Sequence, residues 1–278
     1  MKKNKKVLII VLVILSVVLV TGIILGYLKI LKPYNEAVEK YNEKVKVIEE
    51  KNTELDNKIE RVHNLIDSNE KVIDESIIET AKDVAKRAGA SKFIINKMPK
   101  TTKEIITRTE ELNTPPDYTE IIKELDNVYD SYNLSIKQYK QLTNPSQEFI
   151  LQRLQTIDEV SDARAVTEDN DPNGKLNKAG GYTSTVYFES KKVNQKDVYG
   201  TDVIDKGTNA GGSIEVYANE EDAKKRENYL AGFDGSILSS GSHRVVGTVL
   251  IRTSDKLNAT QQKELEQKII NAFVEIKE

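Results

Sequence analysis

The sequence lacks cysteine and contains only two histidines among its 278 residues. Without cysteine, disulfide frameworks, thiolate metal sites and thiol nucleophiles are excluded. Two histidines exclude a three-histidine zinc site and an HExxH metalloprotease within one chain. The 41 basic and 44 acidic side chains give a formal charge of -3, so the positive excess that phosphate binding needs is missing. No nucleic-acid partner is predicted.

Recognisable catalytic motifs are missing too. There is no G-x-x-x-x-G-K-[ST] loop, no G-x-S-x-G motif and no dinucleotide fingerprint. Four serines lie near His243 and Asp234, namely Ser236, Ser239, Ser240 and Ser242. A Gly- and Ser-rich link between a helix and a strand explains them without a catalytic triad. We therefore predict no catalytic or cofactor-binding residue, and a protein that is not an enzyme.

Charge is absent from residues 7–28, VLIIVLVILSVVLVTGIILGYL. As a helix this segment would extend about 33 Å, enough to cross the hydrocarbon core of a bilayer. The alternative is a cleaved signal peptide, whose apolar core is only about 7–15 residues long and ends in an Ala-x-Ala-like site. No such site follows here, so a retained transmembrane helix in the lipid bilayer is predicted.

Lysines dominate the six residues before this helix, at positions 2, 3, 5 and 6. Basic tails are retained in the cytoplasm. Lysines between residues 29 and 46 weaken a simple charge count, although long segments cross membranes largely regardless of their charge. The prediction is a single-pass plasma-membrane protein with residues 1–6 cytoplasmic and residues 29–278 extracytoplasmic.

Glycine is nearly absent from residues 29–145, which contain only Gly89. Apolar residues there alternate by four and three, the spacing of a heptad seam. The first seam comprises Tyr34, Val38, Tyr41, Val45, Ile48, Leu55, Ile59, Val62, Ile66 and Ile73. Asn52 and Asn69 fall on the same seam, where a buried polar group can fix register and partner number.

A second seam runs from Ile121 to Leu142, after a short helix near residues 101–112 and a loop at 113–117. Each apolar stripe must be covered by something. We predict an all-α stalk over residues 29–145, either an intramolecular helical hairpin or a coiled coil formed by self-association or with a protein partner.

Residues 146–278 predict a small α+β domain. Asn144-Pro145 is typical of a helix start. Alternating or apolar runs predict strands near 161–167, 183–189, 213–218 and 244–253, and helices near 220–231 and 259–276. This order favours one sheet with helices on one face.

One motif in this domain could hold a metal. Residues 169–174, DNDPNG, match the first half of a calcium loop. The candidate calcium ligands are Asp169, Asp171, Asn173, the Lys175 carbonyl and Asn177. The twelfth position is Gly180, where the motif requires a bidentate Glu. An Asx-rich turn, in which Asp and Asn bond their own backbone, explains the same residues and is the favoured interpretation.

The last 130 or so residues resemble an uncharacterised module of surface-anchored and secreted proteins of low-GC Gram-positive bacteria, loosely called EbhA-like. The resemblance rests on residues 168–173, 180–183, 202–205 with 211–212, and 241–248 running into 252–254. It implies a Gram-positive source and an extracytoplasmic location. It assigns no catalytic residue.

Together these features predict a membrane-anchored extracytoplasmic protein of the cell envelope. Its helical stalk would present the α+β domain for binding or scaffolding. The alternatives are a cell-wall hydrolase with unrecognised carboxylates and a sensor or assembly factor of a membrane complex. The sequence identifies no ligand or partner.

Overall fold

The computed structural model describes residues 2–236 and 241–277, with side chains from residue 5 onward. Contacts divide the chain into two compact units. The first unit comprises Met1–Asp67 and Thr80–Tyr129, and the second comprises Ser68–Glu79 and Asp130–Glu278. Each unit is described by itself below.

The regular secondary structure of the first unit is helical in the described residues. Helix α1 (Lys2–Gly26) continues through one π-helical segment, Tyr27–Leu31, into α2 (Lys32–Asp67). The helices that follow are α3 (Ser76–Ser91), α4 (Thr102–Glu111) and α5 (Thr119–Gln141), of which α3 and α5 each belong partly to both units.

Lys5–Asp67 is one helix of 63 residues, and within the described chain it alone is long and apolar enough to cross a membrane. None of its apolar window is buried by the protein, and Val7 to Leu31 expose their large side chains. The prediction of a long apolar N-terminal helix is confirmed.

The seam of α2 is covered by the first unit itself. Tyr41 and Ile48 are buried in a cluster with Ile105 and Leu112 of the α4 region. The Asn52 amide donates to the Phe93 carbonyl oxygen at 3.0 Å and accepts from the Tyr118 hydroxyl at 2.7 Å. Of the two predicted arrangements, these contacts support intramolecular helix packing, because the polar seam residue is satisfied within one chain.

Helix α2 ends at Asp67, six residues before the predicted limit at Ile73. Asn69 has a positive φ of 52°, which a continuing right-handed helix does not allow. Ile73 donates its backbone N–H to the Ser135 hydroxyl at 3.0 Å, and its side chain packs against the core of the second unit. Tertiary contacts thus take the last seam residue away from the helix.

The second unit contains a five-stranded antiparallel sheet of order β1-β2-β3-β5-β4. The strands are β1 (Val160–Ala165), β2 (Tyr182–Ser190), β3 (Gly211–Tyr217), β4 (His243–Val246) and β5 (Val249–Thr253). The helices are α6 (Gln147–Leu154), α7 (Val203–Lys206), α8 (Glu220–Ala231) and α9 (Ala259–Val274). The predicted small domain of helices and one sheet is confirmed, and the structure shows that the sheet is antiparallel.

One face of this sheet carries the main apolar core. Val186, Phe188 and Ile214 point from the strands into it, and Ile150 of α6 and Phe273 of α9 cover them. The other face packs a smaller cluster, in which Tyr217 and Leu250 meet Ala223 and Leu230 of α8. Helices therefore cover both faces of the sheet, where the sequence predicted helices on one.

Two local predictions were wrong. The strand near 244–253 is a hairpin, because Gly247 turns the chain at a φ of 62° between β4 and β5. Helix α6 is capped by Ser146, whose hydroxyl accepts from the Phe149 N–H, so Pro145 precedes the cap. Asn144, the first residue of the predicted Asn144-Pro145 helix start, has a positive φ of 47° and is not the cap.

The boundary between the two compact units also differs from the boundary between stalk and domain that the sequence suggested at residues 145 and 146. Leu142, near the end of α5, is fully buried in the core of the second unit. Its carbonyl oxygen accepts from the Thr248 N–H at 3.0 Å. The C-terminal half of α5 is thus part of the structure around the sheet.

Candidate functional site

The loop between β1 and β2 is organised around Asp171. Its carboxylate accepts hydrogen bonds from the backbone N–H groups of Asn173 at 3.0 Å, Lys175 at 2.6 Å and Leu176 at 2.8 Å. The Tyr182 hydroxyl, at the start of β2, also donates to it. One carboxylate therefore joins three backbone groups of the loop to each other and to the start of β2.

These bonds set the charge state of the pair. Burial by itself would raise the pKa of Asp171, but the Tyr182 hydroxyl and the three backbone donors outweigh it and hold that pKa below its usual range. Burial, and then the bond to Asp171, raise the pKa of Tyr182. Asp171 is accordingly an ionised acceptor facing a neutral phenol.

Three of the other four candidate calcium ligands have partners of their own. The Asn173 amide donates to the Tyr187 hydroxyl at 3.1 Å, and the Asn177 amide donates to Glu168 at 2.9 Å. The Lys175 carbonyl oxygen accepts from the Lys178 N–H at 3.2 Å, and Asp169 is exposed. The bonds that are typical of an Asx turn are those from the backbone N–H groups of Asn173, Lys175 and Leu176 to Asp171.

Calcium binding stays a prediction. Within residues 2–236 and 241–277, no group of three or more His, Cys, Asp or Glu side chains could hold a metal ion. The proposed set has only two carboxylates, and one of them, Asp171, already accepts four hydrogen bonds. A cation would have to compete with these donors for its oxygens.

Beside the loop lies a polar hollow of ≈ 390 Å³. It is lined by Asn144, Pro145, Ser146, Gln147, Val166, Leu176, Asn177, Thr183 and Ser184. The buried Ser184 hydroxyl has no hydrogen-bond partner among the described residues. Because its polar lining consists of hydroxyls and amides, the hollow suits hydrogen bonding to an uncharged polar group rather than acid–base chemistry.

A buried ion cluster on the same face as α8 was not predicted. Glu215 of β3 is 1% exposed and accepts from Arg252 at 2.9 Å, from Arg226 at 3.2 Å and from the Tyr217 hydroxyl at 2.7 Å. Glu215 alternates with Ile214 and Val216 and therefore falls on the polar face of the predicted strand, so no signal in the sequence indicated that α8 would bury it. The carboxylate is fully paired, which fits a structural role.

The serines near His243 do not form a triad in the described residues. His243 Nε2 lies 3.2 Å from Asp234. Ser236 donates to the Phe233 carbonyl oxygen at 2.7 Å, and Ser242 bonds Thr253 and Glu266. Ser239 and Ser240 lie outside the described residues.

The chain matches no family model, and comparison with curated proteins and with solved structures found no match. Function must therefore be argued from the residues themselves.

Proposed function

We propose that this chain is a single-pass membrane protein of the cell envelope. Residues 7–28 are its anchor, residues 1–6 are cytoplasmic, and the helical stalk and the α+β domain are extracytoplasmic. The domain acts by binding or scaffolding, not by catalysis. The partner is a protein or another envelope component.

The observation that carries the proposal is the contrast within helix Lys5–Asp67. Its first part exposes large apolar side chains, whereas the seam of its second part is buried by the same chain. Exposed apolar surface on this scale needs an apolar environment, and a bilayer supplies one. The lysines before the anchor support a cytoplasmic N-terminus, and the resemblance to surface-anchored modules supports the outer location of residues 146–278.

The binding role rests on the polar hollow and on the loop beside it, whose backbone is hydrogen-bonded to Asp171. Hydroxyls and amides held by a sheet can orient a polar partner without reacting with it. We place the contact surface of the domain at the hollow and at residues 168–181.

Protease protection tests the topology. The full chain carries one epitope at each terminus, and protease is added to intact wall-stripped cells. We expect the C-terminal epitope to be lost while the N-terminal epitope persists until the membrane is permeabilised. Protection of residues 182–278 in intact cells would reverse the orientation and refute the proposal.

A second assay tests the role of the domain. The full chain in detergent is incubated with cell-wall material, and cleavage is followed by zymography. We expect no clearing. Clearing of the wall material would contradict the proposed binding role. Clearing that persists in the Ser184→Ala variant would indicate a hydrolase whose carboxylates lie outside the hollow.

A further inference from the structure

Residues 91–103, SKFIINKMPKTTK, combine positive charge with exposed apolar side chains. The segment contains four lysines and no acidic residue. Lys92 pairs with Asp56. Lys97, Lys100 and Lys103 are exposed, and none of the three forms an ion pair with another described residue. Ile94 is 79% exposed and Met98 is 39% exposed.

Two hydrogen bonds show the direction in which this segment runs along α2. The Phe93 carbonyl oxygen accepts from Asn52, whereas the Asn96 carbonyl oxygen accepts from the Tyr41 hydroxyl at 3.1 Å. Residues 93–96, which have no regular secondary structure, thus run from the level of Asn52 toward the N-terminal end of the helix. A helical side chain points toward its own N-terminus, so Asn96 lies lower still than the Tyr41 backbone.

The chain then turns and comes back. Pro99 and Lys100 precede α4, whose Ile105 packs in the cluster that contains Ala37 and Tyr41. By Tyr118 the chain has returned to Asn52. The segment from Phe93 to Tyr118 therefore begins and ends beside Asn52. Its turn, residues 97–103, is the part that lies furthest toward the apolar end of the long helix.

The distance to the membrane follows from helix geometry. Leu31 lies three residues after the anchor and is the last of the exposed large apolar side chains that begin at Val7. Tyr41 is ten residues beyond Leu31, which corresponds to about 15 Å of helix. The headgroup layer extends roughly 5–8 Å beyond the hydrocarbon on each side. Residues 97–103 lie below Tyr41, and lysine side chains reach further, so their charges fall within a Debye length of the lipid phosphates.

We propose that residues 97–103 form a second membrane contact, in which Lys97, Lys100 and Lys103 bind anionic lipid headgroups and Met98 enters the interface. The proposal rests on the anchor proposed above. Anionic lipid is the partner that matches the unpaired positive charge, and the apolar Met98 between two lysines suits the boundary between headgroups and acyl chains. The contact would restrict the tilt of the stalk.

The absence of cysteine permits a direct test. Three single-cysteine variants of the full chain, Met98→Cys, Glu60→Cys and Leu15→Cys, are labelled with an environment-sensitive fluorophore. Each is reconstituted into vesicles of phosphatidylcholine alone or mixed with phosphatidylglycerol. Lipids that carry a spin label on the headgroup quench fluorophores near the membrane surface, and lipids labelled on the acyl chain quench the fluorophore at Leu15. Leu15 reports the anchor, and exposed Glu60, about 29 Å further along α2 than Tyr41, reports a position away from the membrane.

In anionic vesicles, quenching at Met98 by headgroup spin labels should be at least about twice that at Glu60, and it should be weaker in neutral vesicles. Adding Lys97→Glu and Lys100→Glu should reduce it to the Glu60 level. Lys86→Glu with Lys123→Glu makes the same charge change at exposed positions of the same unit and should leave it unchanged.

Equal quenching at Met98 and Glu60 while Leu15 is quenched would overturn the headgroup contact and leave the anchor standing. A Leu15 label that escapes quenching would overturn the anchor and the contact together. Quenching at Met98 that is equal in both vesicles and insensitive to the lysine substitutions would show that the lysines do not bind anionic lipid, and would refute the proposal.

Discussion

Gly212 occupies a position where two strands and an aromatic ring leave no space for a side chain. A Cβ there would lie 2.3 Å from the Arg252 carbonyl oxygen and 2.3 Å from the Phe188 ring. The close approach of the neighbouring strands therefore requires a residue without a side chain at this position. The backbone contact cannot be relieved by moving one side chain.

We therefore predict that Gly212→Ala lowers the free energy of unfolding by about 1–3 kcal/mol through overpacking. Gly89→Ala is the control. Gly89 lies in helix α3 with open space around its Cβ, so alanine there should stabilise by about 0.5–1 kcal/mol. Urea unfolding followed by circular dichroism measures both, and equal effects would contradict the argument.

Substitutions of Asp171 and Asp169 distinguish the Asx-rich turn from a calcium-binding loop. Asp171→Ala removes the acceptor of four hydrogen bonds and should cost about 1–3 kcal/mol without any metal. Asp169 has no hydrogen bond to any described residue, so Asp169→Ala should change stability by less than about 0.5 kcal/mol. Melting in millimolar calcium and in chelator tests the metal. A higher melting temperature in calcium, lost in both variants, would favour the calcium loop.

At the scale of elements, the buried seam of α2 is what the helical unit depends on. Leu55 is fully buried, whereas Val47 on the same helix is 43% exposed. Leu55→Ala should destabilise by about 2–5 kcal/mol because it leaves a cavity. Val47→Ala should change stability by less than about 0.5 kcal/mol. Thermal melting of the full chain in detergent gives the comparison, and similar losses would mean that the seam is not a packed core.

Helix α8 is tied to the segment after α2 through one carboxylate. Glu220 accepts from Lys71 at 2.7 Å and from the Tyr139 hydroxyl at 3.2 Å, and it also pairs with Lys224. The bonds from Lys224 and Lys71 lower the pKa of Glu220 to about 2. Because the folded-state pKa lies below the unfolded one, the stabilisation is complete above about pH 4.5 and is lost as pH falls toward about 2.

Glu220→Gln should thus lower stability at neutral pH by about 1 kcal/mol, a value reduced by solvent screening. The difference from the parent should vanish near pH 2. Glu221→Gln is the matched control, because Glu221 is also in the first turn of α8 but is 78% exposed and pairs only within the helix. Glu221→Gln should lower the free energy of unfolding by less than Glu220→Gln does. Urea titrations across this pH range measure the two curves, and parallel curves would refute the assignment.

At the scale of the whole molecule, the seam burial predicts the oligomeric state. The polar seam residue Asn52 and its apolar neighbours already have partners within the chain. We expect the full chain in detergent to be a monomer by light scattering after size-exclusion chromatography. A dimer that dissociates on Ile48→Asp would instead support self-association through the stalk.

Much of the secondary structure follows from sequence alone. The uncharged run of residues 7–28 predicts a long apolar helix. The spacing of apolar residues locates the start of α2, and both ends of α5, β2, β3, α8 and α9, closely. These signals are local, because helix and strand periodicity are set by the backbone of the segment itself.

The remainder was decided by contacts between distant residues. The positive φ of Asn69 and the hydrogen bond from Ile73 to Ser135 end the first helix before its last seam residue. Gly247, which lies next to the Leu142 backbone, turns the chain and so divides one apolar run into two strands. Asp171 looks like a metal ligand by spacing, yet the fold supplies it with backbone donors and with Tyr182. Sequence determines which side chains can bond or bury, whereas only tertiary structure determines which partner each one meets, because the competing partners are separated by many residues along the chain.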